Sequence, residues 1–239
     1  MTMTTKVVTT FNNRLYKDYA HRFWDTFPHS ELDLTVYSEE HLEIPHKHLY
    51  YQDEFVARNG HKITRDYKHD AVRFCYKPYA IAQCLEHECT HNNTAYDRIL
   101  WIDADTVFLR GLTEKWIDYH LDKIDSIMTY MGRYNYYSET GLLLFNLRHA
   151  QTRRFIHTVR EYYDSNTVYL LEQQHDSYVW DYVRTQFEAQ GYKFNNIGVA
   201  DRKVPGGHIA VHLFGDVMDH CKGKRKVKGY SSENRYRRI

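Results

Sequence analysis

Ile99-Leu100-Trp101-Ile102-Asp103-Ala104-Asp105 is the stretch whose reading decides the fold of this 239-residue chain. Four consecutive apolar residues suit a strand buried on both faces of a sheet. Two carboxylates one residue apart then stand at its end, where an open α/β sheet places its ligands. Hard cations such as Mg²⁺ or Mn²⁺ take oxygen ligands, usually one or two carboxylates plus substrate phosphates. The Asp-x-Asp pair can therefore hold a metal that neutralises a diphosphate. Two aspartates closing a strand beside a turn are also a common structural pattern, so the pair needs further support from the rest of the chain.

On the N-terminal side of this strand, Lys6 to Asn12 reads as a first strand running into a turn. Leu15 to Phe27 has helical spacing, and Leu32 to Tyr37 reads as a second strand. The segment 41–69 is polar, rich in His and Tyr, and reads as loops and short helices. Asp70 is placed to cap a helix running from Ala71 to about His91, with Pro78 kinking or splitting it. On the C-terminal side the pattern gives a helix over Leu112–Leu121 and strands over Asp125–Tyr130 and Thr140–Asn146. Helices over His149–Tyr163 and Glu172–Ala189 follow, the second ended by Gly191. A late strand over His208–Phe214 completes the series. Strands alternating with helices predict one α/β domain with a mixed sheet.

The composition, 42% hydrophobic and 26% charged, is that of an ordinary globular domain and argues against disorder over most of the chain. No apolar run reaches the length of a membrane span, and Met1–Lys6 lacks a signal-peptide core, so a cytoplasmic protein is expected. Four unevenly spaced cysteines do not make a disulfide framework, which agrees with a reducing compartment. The charge is unevenly spread. Residues 222–239 hold eight Lys and Arg against Glu233 alone, a local +7 within a whole-chain +1, which leaves −6 for residues 1–221. The chain is accordingly divided into a domain over 1–221 and a basic tail over 222–239, the tail being either a solvated terminus or a site for a polyanionic partner.

The first chemical constellation joins Asp103, Asp105 and His212, since an imidazole can complete a carboxylate shell for Mn²⁺. At this point a resemblance becomes specific. Val8-Thr9-Thr10-Phe11-Asn12 resembles the first-strand turn that cradles the nucleoside in GT-A-fold, nucleotide-sugar-dependent glycosyltransferases. Arg73-Phe-Cys-Tyr-Lys77 resembles their donor-contacting helix, and Leu100 to Phe108 resembles their DxD strand. Thr140-Gly-Leu-Leu-Leu-Phe-Asn146 resembles the acceptor-side strand that follows. Val211-His212-Leu-Phe-Gly215, with Lys222 downstream, resembles the late His-x-x-Gly element whose His is the third metal ligand and whose lysine contacts the diphosphate. The family places that lysine within two or three residues of the glycine. Here six residues intervene, so Lys224 and Arg225 stand beside Lys222 as candidates.

The resemblance implies a Rossmann-like GT-A domain, with a mixed, mostly parallel central sheet flanked by helices. It implies Mn²⁺ or Mg²⁺ on Asp103, Asp105 and His212, and a UDP-sugar as donor. The donor would lie against Thr9, Thr10, Phe11, Asn12, Arg73, Lys77, Asp103, Ala104, Asp105, Gly215 and Lys222. It also implies an acidic residue beside the sugar near the start of a later helix. Asp176 fits that role best, Asp181 follows, and Glu139 is a third candidate for contact with sugar or acceptor. Asp176 and Asp181 are equally suited to serve as helix-dipole partners. An inverting mechanism needs one carboxylate to deprotonate the acceptor hydroxyl, and the residues do not choose between inversion and retention. The acceptor is expected to be a saccharide, or a hydroxylated base in DNA reached through the basic tail, with tyrosines as stacking surfaces.

Three other readings compete. Asp103-Ala-Asp105-Thr-Val107 fits the D-x-D-x-[T/V] pattern of haloacid-dehalogenase-like phosphatases, although their nucleophile follows the first strand and about a hundred residues precede it here. A non-enzymatic nucleic-acid-binding module would use the tail with Tyr230 and Tyr236. Cys84, His87, Glu88 and His91 fall on one helical face with side chains able to ligate zinc, at a spacing that matches no common zinc module.

Overall fold

The computed structural model describes residues 3–89, 96–133, 136–198 and 217–221. Its centre is a seven-stranded sheet in the order β3-β2-β1-β4-β7-β6-β8. The strands are β1 (Thr5–Thr10), β2 (Asp33–Ser38), β3 (Lys47–His48), β4 (Arg98–Ile102), β6 (Met128–Arg133), β7 (Tyr136–Asn146) and β8 (Asn195–Asn196). Pairings β1/β2, β1/β4, β2/β3 and β6/β8 are parallel, while β7 runs antiparallel to both β4 and β6. The sheet is thus mixed and mostly parallel, as expected.

Alternation along the strands splits the core into two layers. In β4, Ile99 and Trp101 join the cluster packed by α5 (Tyr76–His87), α7 (Thr152–Asp164) and α8 (Asp176–Ala189). Leu100 and Ile102 join the other, packed by α2 (His21–Thr26) and α6 (Glu114–His120). The same split divides Val8 from Val7 and Leu143 and Phe145 from Leu142 and Leu144. All five residues of β4 are buried, which is what a continuous apolar run requires in the middle of a sheet covered on both faces.

The elements depart from the sequence expectations in definite ways. Asp70 does cap a helix, accepting from the Arg73 N–H at 3.2 Å. That helix, α4 (Ala71–Phe74), gives way at Cys75 to α5, so Pro78 lies in the first turn of a new helix, where its missing N–H costs nothing. Helix α5 ends at His87, short of His91. The later helix opens at Asp176 rather than at Glu172, because His175 caps it and Gln174 donates instead to the Lys68 carbonyl at 2.6 Å. Between β1 and β2, α1 (Asn13–Leu15), a π-helical turn over Tyr16–Ala20 and α2 fill the segment expected to be helical. Helix α3 (Asp53–Asn59) lies in the segment 41–69. Strands β5 (Thr106–Phe108), β8 and β9 (Met218–His220) were not legible as periodic runs, being two or three residues long. The expected strand over His208–Phe214 lies outside the described residues, as does the basic tail. No helix among the described residues is long and apolar enough to cross a membrane. All four cysteines are buried thiols outside any disulfide.

Candidate metal and donor site

Strand β4 delivers Asp103, and the chain then turns through Ala104 to Asp105. The turn is fixed by backbone hydrogen bonds: Asp103 N–H donates to the Gly141 carbonyl at 2.8 Å, and Thr106 N–H to the Asp103 carbonyl at 3.1 Å. Ala104 is buried and packs with Phe11, joining the ends of β4 and β1. After the turn, β5 pairs antiparallel with β9, in a register that sets Thr106 opposite His220. Cys221 N–H donates to the Asp105 carbonyl at 2.8 Å. This small ribbon carries a histidine from the far end of the chain to the two aspartates.

His220 Nε2 lies 2.8 Å from Asp105 Oδ1 and 3.9 Å from Asp103 Oδ2. Asp103, Asp105 and His220 offer one ligand atom each within 4.8 Å of one another. Two carboxylates and an imidazole at that separation could hold a divalent metal ion. The other oxygen of Asp103 is engaged from behind: Oδ1 accepts from Trp101 Nε1 at 2.7 Å and sits 2.9 Å from Lys77 Nζ. These partners orient the carboxylate so that Oδ2 faces His220, the kind of outer support that metal ligands need. At position 141 a Cβ would press on the His220 ring and come within 2.8 Å of Nδ1, so the ring would have to shift.

Lys77 is itself buried and bridges to a third carboxylate, Asp176 Oδ2, at 2.5 Å, while donating to the Thr140 carbonyl at 2.9 Å. Thr140 Oγ1 donates to Asp176 at 2.9 Å. Burial pushes the Asp176 carboxyl up, but Lys77 and Thr140 overcome it and hold the group below the ordinary carboxylate range. Lys77, opposed by burial in the same way, is held above its ordinary value by Asp103 and Asp176. Glu139 forms the opposite wall. Its Oε1 lies 4.0 Å from His220 Nδ1 and accepts from Gly141 N–H at 3.1 Å, and its Oε2 is 3.5 Å from Arg133. His175, capping α8, is pushed down chiefly by burial, consistent with a neutral ring whose Nδ1 accepts from Tyr178 N–H at 3.3 Å.

The structure therefore brings together Asp103, Asp105, Lys77, Asp176 and Glu139 from the sequence reading. Asp181 stands apart: it takes the Ser138 N–H at 2.7 Å and hydroxyl at 2.6 Å, and pairs with Arg184 at 3.2 Å. At the end of β1 the side chains serve mainly the fold. Thr10 donates to the Tyr37 carbonyl, Asn12 caps α1 and donates to Glu39, and Phe11 stacks on Tyr16. Thr9 is fully buried, and its hydroxyl has no partner among the described residues. Arg73 is exposed, one turn ahead of Lys77; the Tyr19 phenol is pushed up by burial and by both aspartates, and Arg73 opposes that shift.

His212, Gly215, Lys222, Lys224 and Arg225 lie outside the described residues. The histidine beside the two aspartates is His220, which is not among the candidates the sequence offered. A signal for it is present: His220-Cys-Lys-Gly223-Lys-Arg-Lys226 repeats the His-x-x-Gly spacing, with a lysine three residues after the glycine. The zinc candidates disperse. Glu88 pairs with Lys6 at 2.9 Å and Lys47 at 2.8 Å, His87 meets Tyr50 and Tyr51, and Cys84 is in the core, while His91 lies outside the described residues.

No family model matches the chain, and no curated protein does. Among solved structures it is similar to a glycosyltransferase involved in the glycosylation of the major capsid of PBCV-1. That likeness has a TM-score of 0.56 at 11% identity and covers 99% of this chain and 100% of the other. Mouse xyloside xylosyltransferase 1 follows at TM-score 0.48 and 11% identity, covering 82% and 85%. An active-site mutant of LgtC gives TM-score 0.48 at 14% identity, covering 94% and 99%. The first of these likenesses spans both chains and, with the sheet order described above, gives the chain a GT-A fold.

Proposed function

We propose that the chain is a metal-dependent glycosyltransferase that moves a sugar from a UDP-sugar to an acceptor hydroxyl. The observation that carries this reading is the meeting of Asp103, Asp105 and His220 at the end of β4. Held by these three residues, Mn²⁺ or Mg²⁺ would act as a Lewis acid on the diphosphate leaving group. In the transfer, the bond from the sugar C1 to the diphosphate oxygen breaks and UDP leaves. The acceptor oxygen bonds to C1, and its proton passes to a base.

The residues divide that work by their environments. Trp101 and Lys77 hold Asp103 in one orientation. Asp176, kept ionised by Lys77 and Thr140, is a weak proton acceptor and suits hydrogen bonding to sugar hydroxyls. Glu139, across His220 from the aspartates, is the better placed carboxylate for the acceptor proton if the reaction inverts. The end of β1, Thr9 to Asn12, runs beside the aspartates through the β1/β4 pairing and takes the nucleoside, with Arg73 toward the donor. In this reading the lysine that meets the diphosphate is one that follows Gly223 in the sequence. The phosphatase reading loses its support, because Asp103 follows the fourth strand in sequence order and the fold is GT-A.

Calorimetry of UDP binding with and without Mn²⁺ tests this. Asp103→Ala and Asp105→Ala are expected to abolish the Mn²⁺-dependent binding while the far-ultraviolet circular dichroism stays unchanged. Binding that persists in both variants would overturn the metal site.

A further inference from the structure

Five of the chain's 22 tyrosines gather beside the carboxylate cluster: Tyr67, Tyr136, Tyr137, Tyr178 and Tyr182. Tyr136 is 58% exposed and Tyr67 45% exposed, with their hydroxyls 3.3 Å apart. Tyr137 meets Tyr178 edge to face at 5.2 Å, and Tyr178 stacks on Tyr182 at 6.2 Å. These rings are held. Gln173 Nε2 donates to the Tyr137 hydroxyl at 2.6 Å, and the buried His175 ring packs on Tyr137 at 5.0 Å and on Tyr67 at 5.7 Å. Held aromatic faces left in water are a costly arrangement for a surface, and they mark a place where something flat and partly apolar docks.

The shelf is continuous with the candidate site. The Arg133 guanidinium lies 4.8 Å from the Tyr136 ring centre and 3.5 Å from Glu139, whose other oxygen is 4.0 Å from His220. The charge around it decides between occupants. The charges there are largely matched: Arg133 meets Glu139 and Arg184 meets Asp181, while His69 and Lys68 lie against Asp66 and Glu172 acts on Tyr137. A phosphate backbone needs a surplus of unmatched cations, and the cations beside these tyrosines are offset by carboxylates. A neutral sugar offers ring C–H faces to the tyrosines and hydroxyls to the carboxylates. We propose that Tyr67 and Tyr136 form the outer part of the acceptor subsite, and that the acceptor is a neutral oligosaccharide rather than a nucleic acid. This rests on the glycosyltransferase reading and adds the class of acceptor to it.

Saturation-transfer difference NMR on the full chain, with UDP and Mn²⁺ present, tests the shelf. The probes are maltotriose, cellotriose, N,N′,N″-triacetylchitotriose and a single-stranded DNA dodecamer. At least one trisaccharide is expected to receive transfer at its ring protons, weakened about fivefold in Tyr67→Ala and Tyr136→Ala. Both side chains are exposed, and calorimetric UDP–Mn²⁺ affinity in the variants is expected to stay that of the parent. Trisaccharide transfer unchanged in both variants, no transfer to any trisaccharide, or tyrosine-dependent transfer to the dodecamer alone would overturn the proposal. In each case retained UDP–Mn²⁺ binding leaves the glycosyltransferase reading standing, whereas its absence in the parent sinks that reading instead.

Discussion

Helix α5 carries an ion cluster at each end, and the two are built to different charge balances. At its C-terminal end Glu88 receives Lys6 and Lys47, the Thr35 hydroxyl at 2.9 Å and the Tyr37 hydroxyl at 2.5 Å, and Lys6 also takes Asp33 at 3.0 Å. Two carboxylates meet two ammonium groups, and the charges cancel. At the N-terminal end Lys77 and Arg133 face Asp103, Asp105, Asp176 and Glu139, two more carboxylates than fixed cations, with the His220 imidazole set among them. The helix dipole points the same way: its positive end faces the excess, while at its negative end two lysines offset a misplaced Glu88. A neutral cluster ties elements together. A cluster short of two positive charges is suited to a divalent cation and the phosphates it brings.

The comparison breaks most sharply at the two lysines. Lys77→Met leaves Asp176 buried without its cation and is expected to cost about 3–5 kcal/mol. Lys47→Met leaves Glu88 still paired with Lys6, and the lost partner is half exposed, so the cost is expected within about 1 kcal/mol. Urea unfolding of the two variants measures both, and Lys77→Met combined with Asp176→Asn should recover much of the larger loss. Equal costs at the two lysines would mean that Asp176 is not left as an uncompensated buried charge when Lys77 is lost.

Acid separates the ends next. Burial pushes the Glu88 carboxyl up, but hydrogen bonds from Lys47, Tyr37 and Lys6 bring it down to about 2, against an ordinary 4.5. The folded chain thus takes up this proton less readily than the unfolded one. The contribution of Glu88 is complete above pH 4.5 and is lost as pH falls toward 2, an interval corresponding to about 3 kcal/mol counted once for the whole cluster. Asp176 contributes with the same sign at the other end. In Glu88→Gln the fall of stability over that interval, followed by urea unfolding at stepped pH, is expected to flatten. A slope equal to that of the parent would show that Glu88 is not held so low.

Much of this was legible because it depends on local pattern. The apolar run Ile99–Ile102 gave a central strand with both faces covered, and the carboxylates followed at its end. Asp70 capped its helix, and Thr140–Asn146 paired beside β4. What sequence hid was placed by long-range pairing. Strand β9 is three residues long and has no period to detect, yet it sets His220 against Asp105 from 115 positions away. Periodicity drew attention to His212 on a longer apolar run, although the His-x-x-Gly spacing recurs at His220. Nor does residue type tell that Asp176 pairs with Lys77 and Asp181 with Ser138 and Arg184, since the burial that decides this exists only in the fold.

Gly141 offers the finest test of whether the excess charge is arranged or incidental. It lies on β7 beside Glu139, where a Cβ would displace the His220 ring while the backbone remains in an ordinary extended conformation. Gly141→Ala therefore removes no charge and no ligand, and it changes where one ligand stands. If the surplus carboxylates alone held the cation, Mn²⁺ affinity by calorimetry would stay within about twofold of the parent. If the three-residue arrangement matters, affinity is expected to fall about 10–100-fold, as when the support of a ligand is lost. A matching change at the neutral end of α5, Thr35→Val, removes a hydrogen bond to Glu88 and should leave Mn²⁺ affinity untouched. Loss of Mn²⁺ affinity in both variants would point to a general softening of the domain, and loss in Gly141→Ala alone would place the metal at His220.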